Sequence, residues 1–356
     1  TMSVEMAYHY TALPKDSNSY SSDYNYPTLG VAIRYTMSNV TMHREKDSDW
    51  GLLEPVNYHS KLGSIASVYG FFYRPIYRTK HWDFAYQLNF GVAYALKKYD
   101  KLINADNEFI GSHLLIYFGS ALKATYYLDD KWGIRAGLDF FHHSNGALNR
   151  PNKGANYFGP TLGLVYSPER KAILNHSKDT IQKRFKPYFY TQFTFGLGGK
   201  TLNEEWQRTQ FGTQPTDPEY RTGNFKFYTA YSFRSDLMYR YAQRWASGLG
   251  VDVFYGTYAN RVRELDQSHG IAMKHSRWSV GIAAKHQVFY NNLSLSVALG
   301  YYLYRAMGEN ASIIEKPYYE HVGIYYTFNK LKNLTLGAQV KAHATKADLT
   351  EFILAI

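Results

Sequence analysis

The stretch W82-D-F-A-Y-Q-L-N-F-G-V-A-Y-A-L96 alternates with a period of two. Trp82, Phe84, Tyr86, Leu88, Phe90, Val92, Tyr94 and Leu96 share one face, and Asp83, Ala85, Gln87, Asn89, Gly91, Ala93 and Ala95 the other. Successive side chains of a strand point to opposite sides, so this is a strand with one greasy face and one small, polar face. The pattern recurs with its phase reset. Phe189, Thr191, Phe193, Phe195 and Leu197 oppose Tyr188, Tyr190, Gln192 and Thr194; Leu293, Leu295, Val297, Leu299 and Leu303 oppose Ser294, Ser296, Ala298 and Gly300; Leu334, Leu336, Ala338, Val340 and Ala342 oppose Thr335, Gly337, Gln339 and Lys341. A soluble β-sandwich would bury the aromatic face and set charges opposite it. Gly, Ala, Ser, Asn and Gln stand there instead, and apolar-out, polar-in segments separated by turns are the signature of a transmembrane β-barrel.

Composition agrees. Of 356 residues 35 are Tyr and 17% are aromatic, and amphipathic rings collect where a protein crosses from hydrocarbon to water. Mean hydropathy is −0.42, and no uninterrupted apolar run reaches the roughly 18 residues that a spanning helix needs. Cysteine is absent, which fits an envelope protein but also many cytosolic ones. No signal peptide is visible, and the chain opens at Thr1 on a strand-like segment, as a mature product would. The formal charge of +11 does not gather on one helix or sheet face, which argues against nucleic acid. Basic residues fall in connectors instead (Arg74, Arg78 and Lys80; Lys183, Arg184 and Lys186; Lys330 and Lys332), where they would meet anionic headgroups.

Short periplasmic turns and long outer loops set the orientation of such a barrel. YRTKHW (77–82), LDDKW (128–132) and FNKLKN (328–333) are short; residues 100–109, Gly198 to Gly223 and Arg305 to Pro317 make long connections. The expected fold is an all-β, antiparallel outer-membrane barrel of about 14–16 strands. Closure favours an even number, whereas the pattern yields about fifteen, from Ser3–Tyr10 to Glu351–Ile356. Three regions are expected: 1–167 carrying the site, a basic periplasmic connector over 168–187, and further strands over 188–356. One large barrel is the simpler reading, with two smaller barrels in tandem as the alternative.

The strand after LDDKW climbs outward and ends in FFHHSNGALNRPNKGAN (140–156). Its even positions, Trp132 to Phe140, face lipid, so His142 and Ser144 share the lipid face at its outer end while His143 points inward. A histidine and a serine two residues apart on one face are the pair a serine hydrolase needs: a hydroxyl too weak to attack alone and an imidazole to take its proton. The returning strand NYFGPTLGLVY puts Asn156 on the same outer-end face, where its amide can fix the imidazole tautomer. Asn145, next to Ser144, is the expected oxyanion donor through its side-chain amide or its backbone.

His142, Ser144, Asn145, Pro151, Asn152, Gly154 and Asn156, a dense pattern over about fifteen residues, resemble the outer-membrane lipid A 3-O-deacylases, the PagL-like proteins. Weaker likeness extends over residues 28–167, whereas Tyr188 to Ile356 exceeds the family's eight-stranded form. The resemblance implies cleavage of the ester-linked acyl chain at the 3 position of lipid A, with Ser144 as nucleophile and His142 as base. The family's orienting glutamate falls on Asn156, and an amide cannot stabilise an imidazolium as a carboxylate does.

Arg150 and Lys153 flank this turn, where they would meet lipid A phosphates. Ser112, at the outer end of the neighbouring strand, is read either as a loop cap or as a substrate contact. His143 is read as a lumen-facing structural residue, and Lys123, nearer the periplasmic end, as standing outside the chemistry. The acidic stretch His43, Glu45, Asp47 and Asp49 has no metal-site spacing, and GLGGK (196–200) lacks the helix of a phosphate cradle. The combined reading is a cofactor-free serine esterase of the bacterial outer membrane acting on lipopolysaccharide in the outer leaflet. Its alternative is a non-catalytic pore or lipopolysaccharide-binding barrel.

Overall fold

The computed structural model describes all residues except 14, 15, 17, 43–59, 176–184 and 345. His43, Glu45, Asp47 and Asp49 lie outside the described residues. The chain runs β1 (Met2–Thr11), α1 (Ser19–Asp23), β2 (Thr28–Met37), β3 (Thr41–Met42), β4 (Ser60–Lys61), β5 (Ile65–Arg78), β6 (Trp82–Ala95), β7 (Leu114–Tyr127), β8 (Trp132–Ser144), β9 (Ala155–Tyr166) and α2 (Arg170–Asn175). It continues β10 (Tyr188–Thr201), α3 (Asn203–Phe211), β11 (Phe227–Ala242), β12 (Trp245–Gly256), α4 (Ala259–Ser268), β13 (His275–Tyr290), β14 (Leu293–Met307), β15 (Tyr318–Phe328), β16 (Leu334–His343) and β17 (Lys346–Ala355).

The expected alternation is visible in burial. Trp82, Phe84, Leu88, Phe90, Val92 and Tyr94 of β6 are exposed, and Asp83, Ala85, Gln87, Asn89, Ala93 and Ala95 are buried. A soluble sheet would bury the opposite set, so the exposed face is the one that meets hydrocarbon. No helix among the described residues is long and apolar enough to cross a membrane. Ring pairs such as Trp132–Tyr166 (centroids 4.8 Å apart) and Trp82–Tyr126 (4.9 Å) sit beside short turns, as the aromatic girdle of a barrel does. In one of these turns Asp129 accepts hydrogen bonds from the backbone N of Trp132 and Lys131, 2.7 Å each. Those two bonds hold its carboxyl below the usual carboxylate range.

The strands do not form one large ring. β1-β2-β5-β6-β7-β8-β9 is a seven-stranded antiparallel sheet, and β10 through β17 close on themselves as a separate eight-stranded barrel. Closure is made by β10 against β17, with Thr194 opposite Ala355 and Gly199 opposite Thr350. The single-barrel expectation is thereby corrected. Alternation sets the face of each strand but not its edge partner, and β10 pairs with β17 rather than with β9. The seven and eight long strands together make fifteen, and β3 and β4 add only a two-residue pair. Among the described residues β1 and β9 each pair on one side only.

Both interiors are filled by paired charges. In the seven-stranded sheet Arg34 binds Glu5 and sits 2.6 Å from Asp139, which also takes Lys123. In the closed ring Arg234 pairs with Glu351, Lys285 bridges Asp236 (2.5 Å) and Asp252 (2.8 Å), and Lys341 and Lys200 meet on Asp348. Eight strands leave an interior only wide enough for side chains. A filled interior of that size removes the physical basis for a pore through the ring. Over its outer mouth Val262 and Leu265 of α4 pack with Leu202, Tyr258 and Leu349 into an apolar cap.

Candidate active site

β8 delivers the site. Its register against β7 sets Phe118 opposite His142 and Ile116 opposite Ser144, and its register against β9 sets Asn156 opposite His142. Directly opposed positions share a face, so Phe118, His142 and Asn156 form one outward row at the outer end of the sheet. His142 Nδ1 lies 2.6 Å from Asn156 Oδ1. A carboxamide oxygen only accepts, so Nδ1 carries the proton and Nε2 is left as the basic nitrogen. The Phe118 ring lies 4.8 Å from the imidazole and holds it from the other side.

The far edge of the imidazole rests on Gly154, whose φ is +73°; a Cβ there would stand 2.4 Å from His142 Cε1 and 2.9 Å from Nε2. Only glycine permits both this left-handed backbone and that approach. His143 points inward, as its parity requires, and its Nε2 meets Ser67 Oγ at 2.9 Å.

Ser144, 9% exposed, ends the strand. Its hydroxyl makes no hydrogen bond among the described residues, to His142 or to any other group. Asn145 is 2% exposed and shows which of its two donors is free. Its backbone N donates to Asn152 Oδ1 at 2.9 Å, which corrects the backbone as an oxyanion donor: that N–H is already spent. Its side-chain Nδ2, in contrast, is buried without a partner. A buried amide donor left unpaired costs roughly 1–3 kcal/mol, so it marks a place built for an acceptor.

The flanking residues divide. Lys153 Nζ is 2.5 Å from Glu108, with its side chain 34% exposed. Arg150 turns the other way and donates from Nε to the Thr201 carbonyl at 3.2 Å. Desolvation there pushes its guanidinium below the ordinary value, against the pull of Glu204, Asp348 and Glu315. Ser112 donates to the Leu114 carbonyl at 2.8 Å, which is the loop-cap role. Phe118 and Asn149 are parts of the site that are not named from sequence, and Asn152 enters it only through the family-like pattern, with no role of its own. Parity would have found Phe118, since it shares the exposed face of β7; nothing local shows that Asn149 and Asn152 hold Asn145.

Elsewhere Glu315, His343 and Asp348 bring one ligand atom each to within 4.8 Å of one another. Arg305 lies 2.6 Å from Glu315, and Lys341 and Lys200 already hold Asp348. Three cations neutralise this cluster, so its donor set does not fit a metal ion.

Comparison with known proteins now bears on the site. Residues 20–165 match the family described as lipid A 3-O-deacylase (PagL), and residues 189–356 match the acyloxyacyl hydrolase, C-terminal domain. No curated protein sequence matches. Among solved structures, an outer membrane channel of Pseudomonas putida F1 is 9% identical over 93% of this chain and 95% of its own, with a TM-score of 0.22. A BenF-like porin of Pseudomonas fluorescens Pf-5 is 9% identical over 93% and 98%, TM-score 0.22. The siderophore receptor PirA of Pseudomonas aeruginosa is 11% identical over 99% and 64%, TM-score 0.24. Likeness at this level carries no argument about fold detail or activity.

Proposed function

The chain belongs to the PagL family of bacterial outer-membrane enzymes, and on that premise we propose that it removes the ester-linked acyl chain at the 3 position of lipid A by a serine–histidine mechanism. The observation that carries this reading is the 2.6 Å bond from His142 Nδ1 to Asn156 Oδ1, made on the bilayer side of the sheet at its outer end. It leaves a basic imidazole nitrogen where the acyl esters of an outer-leaflet lipid lie.

Lipid A enters sideways from the leaflet. Ser144 Oγ attacks the ester carbonyl as His142 Nε2 takes its proton, the serine swinging onto the imidazole as substrate closes the site. The oxyanion is met by Asn145 Nδ2, a buried donor beside the nucleophile that has no partner among the described residues. Collapse expels the sugar hydroxyl, which recovers its proton from His142. Water, activated by the same imidazole, then releases the fatty acid from Ser144. Asn156 fixes the tautomer but carries no charge to stabilise the imidazolium, so turnover is slower than a carboxylate at 156 would allow. We assign Lys153, partly exposed although ion-paired with Glu108, to a lipid A phosphate, whereas Arg150 donates to the Thr201 carbonyl.

Purified protein in detergent, incubated with lipid A, is expected to release hydroxy fatty acid detectable by mass spectrometry. Ser144→Ala is expected to lower the rate by at least about 10³-fold. Equal release by both proteins would remove Ser144 from the reaction, and none from the wild type would leave the lipopolysaccharide-binding alternative.

A further inference from the structure

Loops that leave a strand are ordinarily its most mobile neighbours. The one that follows Ser144 is instead gripped by the other half of the molecule. Gly146 and Ala147 both have left-handed backbones, with φ of 62° and 71°. Both of their carbonyls are taken by the closed ring. Thr350 Oγ1, on β17, donates to the Gly146 carbonyl at 2.6 Å. Thr201 ends β10, and its backbone N donates to the Ala147 carbonyl at 2.9 Å, with its hydroxyl 3.2 Å from the same oxygen. The contact is reciprocal through Arg150, which returns a bond to the Thr201 carbonyl. Fit is close: a Cβ on residue 146 would stand 2.2 Å from Thr350 Oγ1.

The position of Thr350 says that this grip is not incidental. It shares the bilayer-facing phase of β17 with Phe352 and Leu354, 75% and 45% exposed. A hydroxyl on that face has only hydrocarbon to meet unless a polar group is brought to it. The Gly146 carbonyl is that group. A second tie reaches the loop over residues 96–113, where Tyr99 OH lies 2.9 Å from both Gln210 Oε1 and the Arg221 carbonyl. That loop in turn pairs with the catalytic one, Lys153 N to the Glu108 carbonyl and Gly154 N to the Phe109 carbonyl, 3.1 Å each.

We propose that the closed ring clamps the catalytic loop of its neighbour, with Thr350 and Thr201 as positioning residues for the deacylation. This rests on the reading of Ser144 and His142 above. Asn145 lies between the nucleophile and the clamped carbonyls, so holding Gly146 and Ala147 fixes the direction in which its free amide points. The ring thereby acts on the transition state rather than on substrate binding.

The test compares wild type, Thr350→Val and Thr350→Ser as full-length protein, with two readouts. Thr350→Val, which keeps β-branching and volume, is expected to lower kcat about tenfold while KM stays within about twofold, and Thr350→Ser to restore kcat. Hydrogen exchange of the peptide covering 144–155 is expected to quicken in Thr350→Val and return to normal in Thr350→Ser. Unchanged exchange would overturn the clamp whether or not the protein is a deacylase. Faster exchange with unchanged kcat would overturn the positioning role. A wild type without turnover would defeat the deacylase reading, while the exchange comparison still decides the clamp.

Discussion

Among the described residues two serine–histidine pairs face the bilayer, one in each half of the molecule, and the better hydrogen-bonded pair is the one with no free donor beside it. In the closed ring Ser247 Oγ lies 2.9 Å from His286 Nδ1, the two residues directly opposed on β12 and β13. Lys285 and Gln287 on either side of His286 are buried, so the pair points outward, near the periplasmic end of its strands. Around it the backbone is a continuous ladder from Trp245 to Tyr255, which spends every N–H in reach. Among the described residues His286 has no second polar partner. In the seven-stranded sheet the serine stands apart, but a carboxamide fixes its histidine, and a buried amide donor waits beside it where the strand gives way to a loop. An ester hydrolase needs a stabilised oxyanion as much as a nucleophile. The residue pair alone is therefore not a site; in the proposed mechanism the strand end and its loop supply what it lacks.

The comparison can be broken at four points. The largest effect is expected from Glu351→Ala, which leaves Arg234 charged and unpaired inside the closed ring and should cost about 3–5 kcal/mol. Loss of the heat-resistant, fast-migrating barrel band on a gel at lower temperature would report it, whereas an unchanged transition would mean that the ring does not depend on its ionic interior. Gly154→Ala comes next. A methyl group where the imidazole edge rests should displace His142 and lower kcat about 10²-fold, with the barrel band unaltered. Asn156→Glu should act in the opposite direction. A carboxylate stabilises the imidazolium, so kcat should rise, by up to about tenfold; a fall would mean that His142 is not charged during turnover. The smallest effect belongs to Ser247→Ala, for which release of fatty acid should stay within about twofold of wild type. A large loss there would reverse the roles of the two halves.

The faces of the strands were legible because parity is local: once β6 is phased, Asp83 inside and Trp82 outside follow. The outward histidine and the partner amide were legible for the same reason, since His142 and Asn156 are joined by one short connection. Edge pairing was not. Whether β10 closes on β9 or on β17 depends on strands more than 150 residues apart, and no alternation records it. The loop defeated sequence reasoning in another way. Asn145 offers two donors, and only the folded turn, in which Asn152 takes the backbone N–H, shows that the side chain is the free one. Thr201 and Thr350, which read as ordinary strand residues, acquire their role only when the ring is laid against the sheet. The helix α3 falls within the stretch from Gly198 to Gly223 that reads as a long outer connection, because its sequence carries turn-like polar residues; no element is named from sequence over the residues of α4, whose Val262 and Leu265 find their apolar surface only at the barrel mouth.

One measurement bears most directly on the claim that chemistry is confined to the outer end of β8. Protein treated with a fluorophosphonate that phosphonylates activated serines is digested and mapped by mass spectrometry. The adduct is expected on Ser144, abolished by His142→Ala, with Ser247 unlabelled. An adduct on Ser247, or fatty-acid release that persists after Ser144 is fully modified, would contradict it.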